Sequence, residues 1–588
     1  MREATTITNP TRPGSQRFQS TVFILLAALV AVMPLLLRGP SCGDDFGFHL
    51  TSWIDAQHGW RSGILYPHWA VDPNYGSGEP RFVFYPPLSW MLGAALGLIL
   101  PWSYVPAAFT FVVLTATGFA AKALARQLLS ESAAILAGCS AIFFGYALYT
   151  AYERTAFGEL LGGIWIPLIL LFALRDRNPD GKLLRRTFDG STLPLALCIA
   201  AAWLSNAPVG VMACYLLAAV ALCAAILSKS YAPALRAAVA TALGLAFTGF
   251  YLLPAAHEQR WVDIRQATSI EGLRIEDNWL FKHHPDSSWW WHDHELQYAS
   301  LIVVATVLVA IASALIARRR NALPAAQRAW WLPLSLIAPV VILLQLPISQ
   351  PVWHLLPKLS FLQFPWRWLL AVEAPVALFF AAAVWSFPPL ARKIALFTST
   401  LAFIAAVAVA NHSFFLRCNQ INSVSAVVAT IATGKGFSGT PEYSPPGATT
   451  TQVSPELPDA CLVTDPYYDL FHQSCDRPIA SSPVTGNHGV EDLELTTTTT
   501  DHPGYLLLRL RRYPTWSIKV NNQPATEETM RKDGLIVVPV PAGAIHLSAR
   551  WTATSDVLAG RAITCIAILL LLVLAFVERR NRLVHLSS

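Results

Sequence analysis

Charge is what this sequence has least of. Asp, Glu, Lys and Arg together make up 13% of its 588 residues, about half of the roughly 25% found in soluble domains. Apolar residues make up 54% of the chain, and the mean hydropathy is +0.44. This balance excludes a soluble multidomain enzyme and a disordered chain, and nine cysteines in so long a chain exclude a small disulfide scaffold. Lysine is especially scarce, with 9 Lys against 33 Arg, a bias typical of a GC-rich bacterial genome.

The apolar residues are gathered into runs of roughly 18 to 25 residues, long enough to cross a hydrocarbon layer of about 30 Å. Twelve strong runs predict a polytopic α-helical membrane protein. They cover residues 18–37, 104–121, 133–150, 160–174, 192–205, 208–227, 237–254, 299–316, 330–346, 368–387, 394–412 and 557–577.

A thirteenth apolar segment, residues 87–100, is short and begins with Pro86-Pro87. We interpret it as a re-entrant or interfacial helix, because a full crossing would reverse the side of every later loop. With twelve crossings and a cytoplasmic N-terminus, 21 of the 42 Lys and Arg residues fall in roughly 90 cytoplasmic residues, as the positive-inside rule requires. Residues 1–17 and 578–588 are then cytoplasmic tails.

Residues 417–555 form one exported block before the last span, 556–577. Its first part is rich in Ser, Thr, Pro and Gly and includes the threonine run 496–500, which indicates loops and weak strands. Alternating apolar and polar residues over 504–510, 516–520, 535–540 and 545–551 predict a β-sandwich-like domain. It holds no nucleophile-elbow, zinc or phosphate-loop motif. Cys461 and Cys475 close a short loop and are able to pair in an oxidising compartment.

The exported loop 39–86 carries the first candidates for chemistry. Asp44 and Asp45 follow the first span closely, and Asp45 and His49 are four positions apart, which places them on one face of a helix. An acid beside an imidazole can serve as a general base or as a pair of metal ligands. The structural alternative is that Asp44 or Asp45 caps an interfacial helix over residues 46–57.

The same loop contains an ordered series of motifs: Asp45-Phe46-Gly47-Phe48-His49, then Tyr66-Pro67-His68-Trp69, a glycine-rich turn, and Phe84-Tyr85-Pro86-Pro87-Leu88. This series resembles a family of bacterial membrane proteins described as related to 6-pyruvoyl-tetrahydropterin synthase, which is similar to the GT-C superfamily of lipid-phosphate-sugar-dependent glycosyltransferases. The resemblance implies a GT-C-like transmembrane domain over 18–416, with exported loops 39–86 and 257–297. It also implies a polyprenyl-phosphate sugar donor and a glycan or lipid acceptor.

In GT-C enzymes an acid in the first exported loop is the catalytic base or positions the acceptor. The resemblance therefore points to Asp44 or Asp45, and we favour Asp45 because of its spacing to His49. The GT-C pattern also places an acid in the short second exported loop, where Glu153 and Glu159 both match the position.

A sugar transfer from a lipid phosphate also needs a cation to stabilise the leaving phosphate. Arg154 lies in the second exported loop, and Arg367 lies between two tryptophans at a helix entrance, at the depth of lipid headgroups. The alternative for Arg367 is an ordinary aromatic belt with a snorkelling arginine.

The exported loop 257–297 holds two further candidates. Trp289, Trp290 and Trp291 can stack on sugar rings or anchor the chain at the membrane interface; Tyr85 is also a candidate substrate contact. His292, Asp293 and His294 have the side chains and the alternation for a metal site on a strand or loop. The cofactor stays open, with Mg²⁺ or Mn²⁺ as the candidate ions.

These features predict an integral membrane glycosyltransferase that transfers a sugar from a polyprenyl-phosphate donor to an acceptor on the outer face of a bacterial inner membrane. One alternative is a lipid or glycan transporter or flippase, which should show internal repeats and ionisable residues in mid-membrane; we find no such repeat. Another is a catalytically silent scaffold with an exported binding domain. Membrane lipids are the expected partners. The net charge of +6 is not evidence for nucleic-acid binding, because its Lys and Arg residues are concentrated in the loops on one side of the membrane, and we expect no nucleic-acid partner.

Overall fold

The computed structural model describes residues 13–176, 181–475, 477–479, 490–525 and 530–586. Within them, long apolar helices are followed by a small β domain and one last long helix. The helices in chain order are α1 (Pro13–Arg38), α2 (Phe46–Arg61), α3 (Arg81–Phe84), α4 (Pro87–Ile99), α5 (Val105–Ala125), α6 (Glu131–Ile142), α7 (Gly145–Tyr152), α8 (Phe157–Leu160), α9 (Gly162–Leu174), α10 (Leu183–Thr187), α11 (Thr192–Ser205), α12 (Ala207–Ser228), α13 (Ala232–Phe247), α14 (Gly249–His257), α15 (Gln266–Ser269), α16 (Trp290–Arg319), α17 (Arg328–Leu344), α18 (Gln350–Leu355), α19 (Leu369–Trp385), α20 (Pro389–Val409), α21 (Val424–Ala432) and α22 (Ser555–Leu586).

Ten helical segments of the described chain are long and apolar enough to cross a membrane. They are α1, α5, α6 with α7, α8 with α9, α12, α16, α17, α19, α20 and α22. The predicted run 237–254 is the pair α13 and α14, bent by 75°. The run 192–205 is α11, whose 14 residues span only about 21 Å. All twelve predicted runs thus coincide with helices, and the polytopic fold class is confirmed.

The segment predicted as re-entrant or interfacial is the helix α4. Its 13 residues rise by about 20 Å, which is too short to cross the hydrocarbon layer alone. The two predicted tails are described only in part, because residues 1–12 and 587–588 lie outside the described residues.

The β domain is a pair of four-stranded antiparallel sheets, with strand orders β2-β1-β4-β7 and β3-β8-β5-β6. Its strands are β1 (Ala460–Val463), β2 (Pro478–Ile479), β3 (Asp492–Thr500), β4 (Gly504–Arg511), β5 (Trp516–Val520), β6 (Gln523–Pro524), β7 (Leu535–Val540) and β8 (Gly543–Trp551). The four strands predicted from alternation match β4, β5, β7 and β8. Asn521 and Asn522 have φ of 52° and 64°, the left-handed conformation that the two-residue turn between β5 and β6 requires.

The first part of this domain differs from the prediction of loops and weak strands, because it contains the helix α21. The helix begins after Ser423, whose hydroxyl accepts a hydrogen bond from the amide of Ala426 at 3.3 Å. A single N-cap serine is a weak sign of a helix start, and it is hard to recognise in a segment that is rich in Ser and Thr throughout.

The β domain packs on the first exported loop. Trp69 and Val262 are buried in the same apolar cluster as the inner residues of β4, β5 and β8. The backbone amide of Tyr75 donates to the carbonyl of Phe437 at 2.9 Å, and that of Arg511 donates to Ser77 at 2.9 Å. Loop 39–86 therefore lies between the helices and the β domain and is held by both.

The helix ends fall into two groups. On the side that carries the β domain, called the domain side below, Arg38 donates to the carbonyl of Asn411 at 3.0 Å. On the other side, the amide of Thr192 donates to Glu578 at 3.0 Å, and Arg236 pairs with Asp189 at 2.9 Å.

Candidate functional site

The first and second loops of the domain side meet along a short stretch of backbone. The amide of Asp44 donates to the carbonyl of Glu153 at 3.3 Å, and the amide of Asp45 donates to the carbonyl of Arg154 at 3.0 Å. A Cβ atom on Gly43 would lie 1.7 Å from the Glu153 carbonyl oxygen, so only glycine permits this approach. The two loops are thereby fixed in register, with the acid of one opposite the arginine of the other.

Asp45 occupies the N-cap position of α2, but its side chain makes no capping hydrogen bond. Instead its Oδ2 lies 3.8 Å from Nη2 of Arg154. The Asp45 side chain is 43% exposed, whereas that of Arg154 is 6% exposed. The capping alternative thus does not describe this carboxylate, which is open to solvent on one side and faces a buried guanidinium on the other.

Glu159 is the centre of a buried charge cluster beneath Asp45. Its Oε2 accepts from Nη1 of Arg154 at 2.8 Å and from Nε of Arg367 at 3.0 Å. Its Oε1 accepts from the hydroxyl of Tyr146. With its side chain 1% exposed, Glu159 offsets part of the positive charge of both arginines, and Asp45 also faces Arg154.

Arg367 is held in place from its own chain segment as well. Its Nη1 donates to the carbonyl of Leu362 at 2.8 Å and to the side chain of Gln363 at 3.0 Å. The ring of Phe364 lies under both guanidiniums, 4.9 Å from that of Arg154 and 4.8 Å from that of Arg367. Such fixed orientation favours recognition of a phosphate by two arginines.

Glu153, Asp44 and Glu295 form a second group of side chains next to the cluster, called the acidic group. Glu153 is buried, its Oε2 has no hydrogen-bond partner, and burial together with the nearby Asp44 raises its pKa to about 8. Asp44 also faces the carboxyl of Glu295, which interacts with the indole of Trp291. The structure thus separates the two acids of the second loop: Glu159 pairs with the arginines, and Glu153 lies beside Asp44.

The predicted pairing of Asp45 with His49 is wrong. His49 is buried, and its ring nitrogens lie 3.5 Å from the hydroxyl of Tyr85 and 3.4 Å from that of Ser89. Burial and the nearby Arg81 lower the pKa of His49 to about 3, so the ring is neutral. The helical spacing argument fails because the N-cap residue is not yet helical and its side chain points to the second loop.

The metal site predicted at His292, Asp293 and His294 is not assembled. These residues lie in α16, where successive side chains point in directions about 100° apart. Asp293 is bound instead by His284 at 2.5 Å and by His283 at 2.6 Å. Among the residues that the structure describes, no group of three His, Cys, Asp or Glu side chains could hold a metal ion.

The three tryptophans at the start of α16 differ in their surroundings. Trp289 stacks on the ring of His284 at 4.0 Å. Trp290 and Trp291 are 66% and 40% exposed, and Trp291 reaches toward the acidic group through Glu295. Trp291 is thus the member of the trio that lies at the site.

Two disulfides lie on the domain side. Cys461 and Cys475 are bonded, as the sequence suggested. Cys42 and Cys418 form the second disulfide, which the sequence analysis did not anticipate. The second disulfide joins the segment immediately before Asp44 to the start of the β-domain segment.

Sequence reasoning also missed three residues of the site: Tyr146, Glu295 and Phe364. Tyr146 and Glu295 are polar groups inside apolar helices, a feature that marks functional or paired residues in membranes. Phe364 lies in the segment that precedes Arg367, and its contact with both guanidiniums has no signal in the sequence.

The fold and the site define a polytopic membrane protein with a carboxylate and arginine cluster between its helices and an extramembrane β domain. Residues 82–416, more than half of the chain, match the model of a family described as "6-pyruvoyl-tetrahydropterin synthase related domain; membrane protein". The chain belongs to this family of membrane proteins. A comparison with curated proteins finds no match.

Two solved structures are similar to the chain. The cryo-EM structure of arabinofuranosyltransferase AftD from Mycobacteria aligns with a TM-score of 0.43 at 15% identity, over 73% of this chain and 29% of that chain. The crystal structure of ArnT from Cupriavidus metallidurans bound to undecaprenyl phosphate aligns with a TM-score of 0.29 at 13% identity, over 62% of this chain and 78% of that chain. The chain thus matches less than a third of the length of the arabinofuranosyltransferase.

Proposed function

We propose that this protein is an integral membrane glycosyltransferase, of the GT-C type that its loop motifs resemble, which transfers a sugar from a polyprenyl-phosphate donor to a glycan or lipid acceptor. The observation that carries the proposal is a half-exposed carboxylate, Asp45, 3.8 Å from a buried guanidinium of Arg154. Arg154 shares Glu159 with Arg367. The proposed base and the two proposed phosphate-binding groups thus belong to one cluster of side chains.

In the proposed reaction, the carboxylate of Asp45 accepts the proton of an acceptor hydroxyl. The acceptor oxygen then forms a bond to the anomeric carbon, and the bond between that carbon and the phosphate oxygen breaks. The electron pair leaves with the polyprenyl phosphate, whose growing negative charge is stabilised by the guanidiniums of Arg154 and Arg367. Attack from the face opposite the leaving group inverts the anomeric configuration.

The remaining residues of the cluster position these groups. Glu159 keeps the two arginines close together, since it offsets part of their mutual repulsion. The described hydrogen bonds of Arg367 use Nε and Nη1, which leaves Nη2 for a donor phosphate. Trp291 and Tyr85, next to the acidic group and to His49, are the proposed contacts for sugar rings.

The proposed sidedness follows the distribution of Lys and Arg. The domain side is exported, both termini are cytoplasmic, and the membrane is the inner membrane of a bacterium. The donor phosphate then lies at the headgroups of the outer leaflet, where Asp45 and Arg154 can reach it from the domain side.

The test is transfer of radiolabelled sugar from polyprenyl-phosphate donors by the full-length protein in nanodiscs. Asp45→Asn should lower the rate by about 10²- to 10⁴-fold, the usual contribution of a general base. Asp263→Asn, in the exported loop 257–297, is the matched control and should keep full activity.

Three outcomes would contradict the proposal. Full activity in a well-folded Asp45→Asn protein would remove this residue from the mechanism. Movement of labelled donor across vesicles without any transfer would favour the flippase alternative, and the absence of both activities with a panel of donors would favour the scaffold.

A further inference from the structure

A cavity of about 930 Å³ lies on the domain side, outside the carboxylate and arginine cluster. It is bounded by the end of α1, by the turn between α4 and α5, and by the segment that leads from α20 into α21. Its lining residues are Arg38, Pro40, Pro101, Trp102, Ser103, Phe415, Arg417, Cys418, Ser423, Val424, Ser425 and Val428. The Cys42–Cys418 disulfide lies in its wall.

The charge of this cavity is entirely positive, because two arginines and no carboxylate line it. Arg38 donates to the carbonyl and side-chain oxygens of Asn411 and lies 3.9 Å from the ring centre of Phe415. Arg417 is exposed and has no ion pair within the described part of the chain. Two guanidiniums and several serine hydroxyls without an acidic partner suit a phosphate group.

The rest of the lining is apolar, and exposed apolar side chains follow or precede it closely in the helices α1 and α4. Leu37, which precedes Arg38, is 77% exposed, and Ile99, at the end of α4, is 76% exposed. Trp102 packs so closely on Gly97 that a Cβ there would lie 2.4 Å from the indole. Tryptophan is typical of the membrane interface, which supports a cavity that opens at the depth where headgroups and acyl chains meet.

We propose that this cavity binds an anionic glycerophospholipid, with its phosphate between Arg38 and Arg417 and its acyl chains along the exposed ends of α1 and α4. The exposed apolar path favours a lipid over a soluble phosphate, and the unbalanced positive charge favours an anionic lipid over a zwitterionic one. This site is separate from the proposed transfer site and does not depend on the proposed activity.

The test is native mass spectrometry of the full-length protein, released from micelles that contain equal amounts of phosphatidylglycerol and phosphatidylcholine. We expect the wild-type protein to retain phosphatidylglycerol in preference. Arg417→Ala should weaken this binding about fivefold, the effect of one arginine at an anionic surface, and Arg417→Glu should weaken it further. Arg265→Ala, which removes a 90% exposed arginine outside the cavity, is the matched control and should bind like the wild type.

Three results would overturn the proposal. They are equal retention of the two lipids by the wild-type protein, unchanged binding of phosphatidylglycerol by both Arg417 variants, and displacement of the lipid by an equal concentration of inorganic phosphate. The last result would show that the cavity binds a free phosphate and not a lipid. Because Arg417 is exposed and has no ion pair among the described residues, its variants should unfold at the wild-type temperature, which a thermal melt in the same micelles checks.

Discussion

Replacing Glu159 with glutamine removes the negative charge that two buried arginines share. The side chain is 1% exposed, and it accepts from Arg154 at 2.8 Å and from Arg367 at 3.0 Å. Glutamine keeps one oxygen as an acceptor but leaves the two guanidiniums with only the 43% exposed carboxylate of Asp45, 3.8 Å from Arg154, to offset their charge. Breaking a buried ion pair on one side costs about 3 to 5 kcal/mol, so we expect Glu159→Gln to lower the free energy of unfolding by about 3 kcal/mol or more.

The matched control is Glu131→Gln on the other side of the bundle. Glu131 also has two cationic partners, Lys122 at 2.6 Å and Arg126 at 2.6 Å, but its side chain is 20% exposed and that of Arg126 is 43% exposed. Water screens such a pair, so this substitution should cost about 1 kcal/mol or less.

The measurement is the free energy of unfolding of both variants by equilibrium denaturation in mixed micelles. Equal destabilisation by Glu159→Gln and Glu131→Gln would contradict this prediction. So would a Glu159→Gln protein that is as stable as the wild type, because that would mean the two arginines do not need the carboxylate to stay together.

Three further predictions concern the site and its setting. Arg367→Ala should weaken donor binding by about 1.5 to 3 kcal/mol, and Arg367→Lys should weaken it less; an unchanged donor KM in both variants would make Arg367 a belt residue. Cys42→Ser should lower the unfolding free energy by about 2 to 4 kcal/mol and slow transfer, and Cys418→Ser should do the same; the control Cys565→Ser, a free cysteine, should do neither. A cysteine placed at His585 should react only with reagents on the cytoplasmic side, and labelling from outside would overturn the twelve-crossing topology.

Much of the fold could be predicted from local composition, because a membrane span needs only an apolar run of sufficient length. The bend between α13 and α14 could not. It is stabilised by a hydrogen bond from the amide of Phe250 to the hydroxyl of Thr564 at 2.9 Å, and by an approach of Gly249 to Gly560 that leaves no room for a Cβ. Both contacts join residues more than 300 positions apart, and apolar content carries no information about them.

In the site, too, the sequence indicated which residues matter but not which residues contact each other. The sequence and its family resemblance named the right types of residue, but they left Asp44 beside Asp45 and Glu153 beside Glu159 as alternatives. They could not show that Glu159 bridges the two arginines, because Arg367 follows Glu159 by 208 positions. The pairing of Asp45 with His49 was wrong because it assumed helical geometry at a residue that precedes the helix.

The disulfide between Cys42 and Cys418 can form only late in the synthesis of this protein. The two cysteines are 376 positions apart, and in the proposed topology eleven of the twelve spans are made by the time Cys418 is exported. The loop that carries Asp44 and Asp45 is thus among the first parts to leave the cytoplasm, yet it is fastened only after nearly the whole bundle is in the membrane. Until then an oxidising environment can pair Cys42 with other thiols, so correct assembly depends on how fast the chain reaches its β domain.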